Sequence, residues 1–340
     1  MPEIPVEARN PRSAIIRTAA AIGVAIAVML GAFLLLEAAR PDGGTIGFVF
    51  LLMLPAFVSA FVTYVADPWR IRSLGQYFRI TGVLLIVVIV ASIPVLKEGT
   101  ICVVILSPLW LASGCTGAYL TYKTRHWQRN DRSYCVTLLA LPLAAMQVEP
   151  YVPLPVATAT VERSILVDAA PATIWPMLRG IPDVRPGEGR WTITQDVIGV
   201  PRPIGARLVG SGIGAERHAA WGHGIRFRER ITEWQDQRRI GWRFIFDDMN
   251  GWNYTDRHLL PDSPHFTITR GGYRMQPLPD GRTRVTLDTS YAIRTPVNLY
   301  AKLWGQLFLG DLENNLLAII KHRAERAAGP ARLASTTQPR

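Results

Sequence analysis

The sequence predicts an α-helical membrane bundle followed by an α+β domain, in which a curved antiparallel sheet wraps a long C-terminal helix. Three observations predict it: long uncharged runs lie before residue 150, alternating strand-like segments lie after it, and one extended helical pattern closes the chain.

A helix crossing a bilayer core needs about 20 apolar residues, with 17 near the lower limit. Uncharged runs reach this length at about residues 15–36 (strictly uncharged from 18), 43–66, 80–96 and 99–122. A fifth, residues 133–148, is shorter and contains Pro142 and Gln147. The membrane domain, residues 1–148, is therefore expected to have four or five transmembrane helices, the fifth either spanning or lying partly in the interface. The first run is too long for a signal-peptide core and is followed by another span, so it is expected to stay as an anchor. Arg9, Arg12 and Arg17 precede the first span, Arg70, Arg72 and Arg79 lie between the second and third, and Lys123, Arg125, Arg129 and Arg132 follow the fourth. The intervening loops offer only Arg40 and Lys97, which places the N-terminus in the cytoplasm of a bacterial-type inner or plasma membrane. The C-terminal domain is then extracytoplasmic if the fifth run crosses and cytoplasmic if it does not.

Within these runs no charged residue sits near a span centre, which argues against an ion or proton path. Ser113-Gly-Cys-Thr-Gly-Ala118 supplies small residues for close helix packing, and Trp69, Tyr122 and Trp127 fall at span ends, where interfacial aromatics sit. The bundle reads as an anchor or docking platform. The chain carries 37 basic and 26 acidic residues, a formal charge of +11, without a concentrated basic block, so a surface beside anionic lipid is expected and nucleic acid is not. Cys102, Cys115 and Cys135 all fall in the apolar half and leave the soluble part without a disulfide.

Residues 149–157 hold three prolines and read as an extended linker. The soluble domain is placed at 158–326 and a flexible tail at 327–340. A strand at 161–168 is followed by a helix start at Pro171. Further strands are expected at 191–198, 206–210, 216–221, 223–233, 239–246, 265–275 and 282–293. A last helix begins at Thr295-Pro296, with an apolar face of Leu299, Leu303, Leu307, Leu312, Leu316 and Ile319.

Three segments carry a family resemblance. Val161-Glu-Arg-Ser-Ile-Leu-Val-Asp-Ala-Ala-Pro-Ala-Thr-Ile-Trp175, then Gly210-Ser-Gly-Ile-Gly-Ala-Glu-Arg217, then Gly224 with Glu229-Arg-Ile-Thr-Glu-Trp234, ahead of a terminal helix, resemble the START-related SRPBCC superfamily. That superfamily includes the polyketide cyclase/dehydrase and lipid-transport group and the Bet v 1-like proteins. The resemblance covers residues 158–326 only. It implies a helix-grip fold with an apolar cavity that holds a lipid, sterol, polyketide or similar ligand, and it transfers no catalytic residue.

Strand parity supplies candidate residues. Ile225, Phe227, Glu229 and Ile231 share one strand face, so Glu229 lies among apolar neighbours and needs a partner. Arg217, which shares its face with Ala219 and Trp221, is that partner, as a structural ion pair or as an acid/base pair in the cavity. Trp242 and Phe244 on one strand, Leu287 and Tyr291 on another, and Tyr300, Leu303, Trp304 and Leu307 of the last helix are the remaining wall candidates, with Trp221 and Phe227. Gly210-Ser-Gly-Ile-Gly214 lacks phosphate-loop spacing and reads as a turn. The loop at 247–256 reads as a surface loop or lid rather than a calcium site. The histidines lack ligand spacing and no GxSxG elbow is present, so no metal or cofactor is expected. The function expected is a membrane-anchored binding module for a hydrophobic small molecule. A cyclase or dehydratase using Glu229, Arg217 and Tyr291 or Tyr300 is the alternative, and a membrane scaffold is a second. The partners expected are the bilayer and the ligand; no protein partner is identified.

Overall fold

In the first 155 residues the apolar runs are helices. The computed structural model describes residues 11–39, 47–96, 100–127, 134–249, 251–252 and 260–336, and the chain divides into two units, Met1–Pro155 and Val156–Arg340. The N-terminal unit contains α1 (Pro11–Ala39), a π-helical turn (Val49–Met53) running into α2 (Leu54–Ala66), α3 (Leu74–Leu96), α4 (Thr100–Trp127) and α5 (Tyr134–Val148). Among the described residues four helices are long and apolar enough to cross a membrane: Arg12–Leu35, Val49–Ala66, Leu74–Ala91 and Ile101–Arg125. α3 begins before the expected residue 80, because Arg79 interrupts the uncharged run without interrupting the helix. The residues at 43–46, Lys97, Arg129 and Arg132 lie outside the described residues.

Small residues set the helix spacing. A Cβ on Gly117 of α4 would overlap the Ala56 carbonyl of α2, so glycine is what lets the two backbones meet there. Ser113 of α4 donates to the Leu52 carbonyl, and the Ser59 and Thr81 hydroxyls of α2 and α3 bond at 2.7 Å. At the C-terminal end of α2, Asp67 accepts from the Ile71 and Arg72 N–H groups (3.0 and 3.2 Å) and from the Tyr77 hydroxyl (3.1 Å). At the same end Arg125 of α4 donates to the Tyr64 and Pro68 carbonyls at 2.8 and 3.3 Å, where the helix dipole favours a cation. At the opposite end the Glu149 carboxylate accepts from the Val49 N–H at 3.1 Å. The chain thus leaves the bundle where the π turn into α2 begins, opposite the end where α4 finishes.

The second unit is built on period-2 patterning. Its seven strands are β1 (Val156–Val167), β2 (Pro203–Val209), β3 (Glu216–Trp221), β4 (Arg226–Gln235), β5 (Arg239–Ile245), β6 (Phe266–Pro277) and β7 (Thr283–Arg294). They form one antiparallel sheet in the order β1-β7-β6-β5-β4-β3-β2. Two short helices, α6 (Pro171–Arg179) and α7 (Ile193–Asp196), precede β2, and α8 (Asn298–Thr336) packs on β1, β7 and α6. The second unit is a helix-grip domain. The strand begins at Val156, within the expected linker, after a 3₁₀ turn at Glu149–Tyr151. α8 extends past the expected boundary at residue 326 to Thr336, and residues 337–340 lie outside the described residues.

Residues 191–198, expected as a strand, hold α7 instead. The Thr192 hydroxyl caps the Gln195 N–H (3.2 Å) while Asp196 accepts from the Thr192 N–H (2.7 Å), and Asp311 of α8 accepts from both the N–H and hydroxyl of Thr194. This reciprocal cap overrides the alternation. The Gly210–Gly214 stretch is a turn, with positive φ at Gly210, Gly212 and Gly214. At the end of β7 the Thr295 N–H and hydroxyl both donate to Asn298 Oδ1 at 2.9 Å, ahead of α8.

Candidate functional site

The inner face of the grip differs along its length. At one end Val167, Ile174, Leu178, Ile240, Val285, Leu317, Ile319 and Ile320 form a closed core. Lys321 fastens the C-terminal half of α8 to this end by donating to the Leu166 carbonyl (2.9 Å), and Glu325 accepts from the Asp168 N–H (2.9 Å). Arg323 donates to Glu188 and to the Pro182 and Asp183 carbonyls, so the polar surface hollow of about 570 Å³ beside it is a clasp between α8 and the loop before α7. That arginine holds the Glu188 carboxyl down at a pKa of about 2.

Two smaller apolar clusters adjoin this core, the second through Phe244, whose ring lies 6.2 Å from that of Trp242. One joins Val161, Tyr291, Ile293 and Leu309. The other gathers Trp221, Phe244, Phe246 and Trp252 around Phe227, with ring centroids 5.8–6.4 Å from the Phe227 ring. From α8, Tyr300, Trp304 and Phe308 form a ladder one turn apart, at 6.2 and 5.4 Å, and none of the three is fully buried. Tyr291 is fully buried beneath α8, and its hydroxyl donates to the Lys302 carbonyl at 3.5 Å. A Cβ on Gly305 would overlap that hydroxyl, so glycine is what allows α8 to cross here.

The sequence-derived residues divide accordingly. Trp221, Phe227 and Phe244 meet in the aromatic cluster, and Tyr300, Trp304 and Leu307 are half-buried on α8. Trp242 and Leu287 belong to the closed core. Leu303 is a correction: it is 64% exposed, and Leu299 beside it is exposed too. The buried face of α8 runs instead through Leu309, Glu313, Leu317, Ile320 and Ala324, and the four-residue spacing of Leu299, Leu303 and Leu307 marks a different face.

Arg217 and Glu229 lie directly opposite each other on β3 and β4 and are 4% and 5% exposed. The Arg217 Nε donates to Glu229, its Nη1 donates to the Leu178 carbonyl at the end of α6 (2.7 Å), and its guanidinium stacks on Trp242 (4.1 Å) and lies 5.5 Å from the Tyr273 ring. Every one of these contacts joins the sheet to α6 or fills the closed end, the arrangement of a structural ion pair. In the expected lid, Asp247 is held by Arg228 (2.6 and 2.7 Å); Asn250, Asp256 and His258 lie outside the described residues.

Sequence reasoning missed a second carboxylate, Glu313 on α8. It is 2% exposed, and neither of its oxygens meets a hydrogen-bond donor at bonding geometry. Burial pushes its pKa up to about 8; the Thr289 hydroxyl and the Arg163 guanidinium offset this only in part. Tyr273, in electrostatic reach of both Glu313 and the Arg217 pair, is pushed up to about 12, chiefly by burial. The signal was present in the spacing: Glu313 stands four residues from both Leu309 and Leu317, on the apolar stripe. A carboxyl that changes charge near neutral pH inside an apolar shell is able to hold or deliver a proton.

No family model and no curated protein sequence matches the chain. Among solved structures it is similar to truncated norcoclaurine synthase from Thalictrum flavum, at 14% identity over 50% of this chain and 95% of that one, with a TM-score of 0.31. It is also similar to the ZhuI aromatase/cyclase from Streptomyces sp. R1128 (16% identity, 51% and 98% coverage, TM-score 0.33). A protein of Thermus thermophilus matches at 18% identity over 50% of this chain and 100% of that one, with a TM-score of 0.29.

Proposed function

We propose that this protein is a membrane-anchored binding module that holds a hydrophobic small molecule in the open end of its helix grip. The observation that carries this reading is the set of half-buried aromatics beside the closed core: Trp221, Phe244 and Phe246 gather around Phe227 and reach that core through the Phe244–Trp242 contact, and Tyr300, Trp304 and Phe308 run along α8 without full burial. Partly open aromatics beside a closed core are the wall material that an apolar guest needs. Anchoring beside a bilayer raises the effective concentration of a lipophilic ligand without adding contacts.

The same reading places the domain outside the cytoplasm. Arg70, Arg72 and Arg125 at one end of the bundle support that end as the inner one, and the Glu149 bond to Val49 supports an exit at the other, with α5 proposed to cross in spite of its 15 residues. The soluble unit has no cysteine, so Ser211→Cys provides a single soluble reporter. Labelling of intact cells by a membrane-impermeant maleimide is expected, and labelling only after lysis would reverse the orientation.

The functional test is native mass spectrometry of the full chain released from detergent micelles. A stoichiometric hydrophobic adduct that Phe227→Ala loses while remaining folded is the expected result. A bare chain, unresponsive to a panel of lipids and aromatic polyketides, would replace the binding reading with a scaffold.

A further inference from the structure

Apart from the Arg217 pair, the inner face of the grip contains polar atoms sealed from water with no partner at hydrogen-bond geometry: both oxygens of Glu313 and Nε1 of Trp242. An unpaired buried carboxyl is among the most destabilising groups a domain can keep. Its surroundings are specific. Thr289, Gly271 and Trp242 stand directly opposite one another on β7, β6 and β5. A Cβ at Gly271 would come within 2.9 Å of the Trp242 ring, so glycine is what lets the indole, with its unpartnered Nε1, fold over β6 beside the Thr289 hydroxyl. Thr289 is the polar group of that row within influence of Glu313.

The charged and titratable groups facing Glu313 are few. Arg163 of β1 already donates to the Gln306 carbonyl (3.0 Å); Glu162 of β1 and Asp288 of β7 act on it at longer range, as does Tyr273 of β6. Nothing among the described residues supplies a cation dedicated to the carboxyl. We infer that Glu313 is the polar contact of the bound molecule: a neutral carboxyl whose O–H donates to a carbonyl, or another uncharged acceptor oxygen, of an otherwise apolar ligand. This rests on the hydrophobic-ligand reading above and narrows it to ketone- or ester-bearing guests. At neutral pH burial keeps the proton in place for that role. An apolar shell with one placed donor rejects a ligand that leaves the donor unpaired.

The test uses the full chain in detergent and two fluorescent probes matched except for one group: prodan, which carries a ketone, and 2-(dimethylamino)naphthalene, which does not. Both are titrated at about pH 6 and about pH 9.5, against the micelle background. The expected result is saturable binding of both, with prodan favoured by roughly tenfold at the lower pH and by little at the higher. Glu313→Gln, which still donates, keeps the preference and loses its pH dependence. Glu313→Leu loses the preference, still binds both probes, and is more heat-stable than the parent chain. Equal binding of the two probes at both pH values would overturn the assignment of Glu313 and leave the hydrophobic-ligand reading standing. Tighter binding at the higher pH would mean that the carboxylate receives a cation, and would also overturn it. Saturable binding of neither probe would remove both readings.

Discussion

Asp67 in the N-terminal unit and Glu313 in the C-terminal unit are 1% and 2% exposed, yet Asp67 is held by two backbone N–H groups and the Tyr77 hydroxyl, whereas Glu313 has only the Thr289 hydroxyl near it, short of hydrogen-bond geometry. Burial is equal; satisfaction is not. A carboxylate given three donors closes a helix junction and belongs to the architecture. A buried carboxyl left so poorly satisfied weakens the fold it sits in, which is what sets Glu313 apart as a candidate for binding. Glu229, bound by Arg217, stands with Asp67 in this comparison.

The largest effect tests the satisfied members. Asp67→Ala and Glu229→Ala each strand buried donors, and each is expected to lower stability by about 3–5 kcal/mol, read as a fall in the thermal midpoint in detergent. A change under about 1 kcal/mol at either site would place it with Glu313. Next comes the pH dependence of Glu313. Its folded pKa of about 8 lies above the ordinary 4.5, so the folded state keeps a proton that the unfolded chain has already released. Stability therefore falls as pH rises from about 4.5 to about 8, with a slope approaching 1.4 kcal/mol per pH unit from this group, and levels above that window. Glu313→Leu should flatten that fall, and an unchanged profile in the variant would remove Glu313 as its source. The smallest effect is that of Thr289→Val. Losing the one nearby hydroxyl should move the Glu313 midpoint upward while changing stability by about 1 kcal/mol or less; a downward move would show that the hydroxyl is not supporting the charged form.

Much of the fold was legible because strand parity is unambiguous where one sheet face is buried. Alternation placed Phe227, Glu229 and Ile231 inside and Arg226, Arg228 and Arg230 outside, and the short turn between β3 and β4 set Arg217 against Glu229. Alternation failed at residues 191–198, where a side-chain cap four residues long decides the conformation and leaves no periodic trace. It failed again on α8, since leucines spaced by four describe a buried face and an exposed apolar one equally well. Leu303 was placed inside for that reason. Glu313 was passed over because a charged residue in an apolar stripe is ordinarily assigned to the neighbouring polar face.

The pairing of β1 with β7 also has a consequence in time. Val156 lies opposite Arg294 and Val167 opposite Thr283, so the first strand of the domain pairs with its last strand, translated more than a hundred residues later. At common elongation rates that is a wait on the order of ten seconds, with Val161 and Val167 uncovered and a strand edge open. α8 comes later still. A ribosome that stalls or stops before Thr283 leaves this edge without its intended neighbour, which makes the closing helix as much a safeguard of biogenesis as a wall of the finished domain.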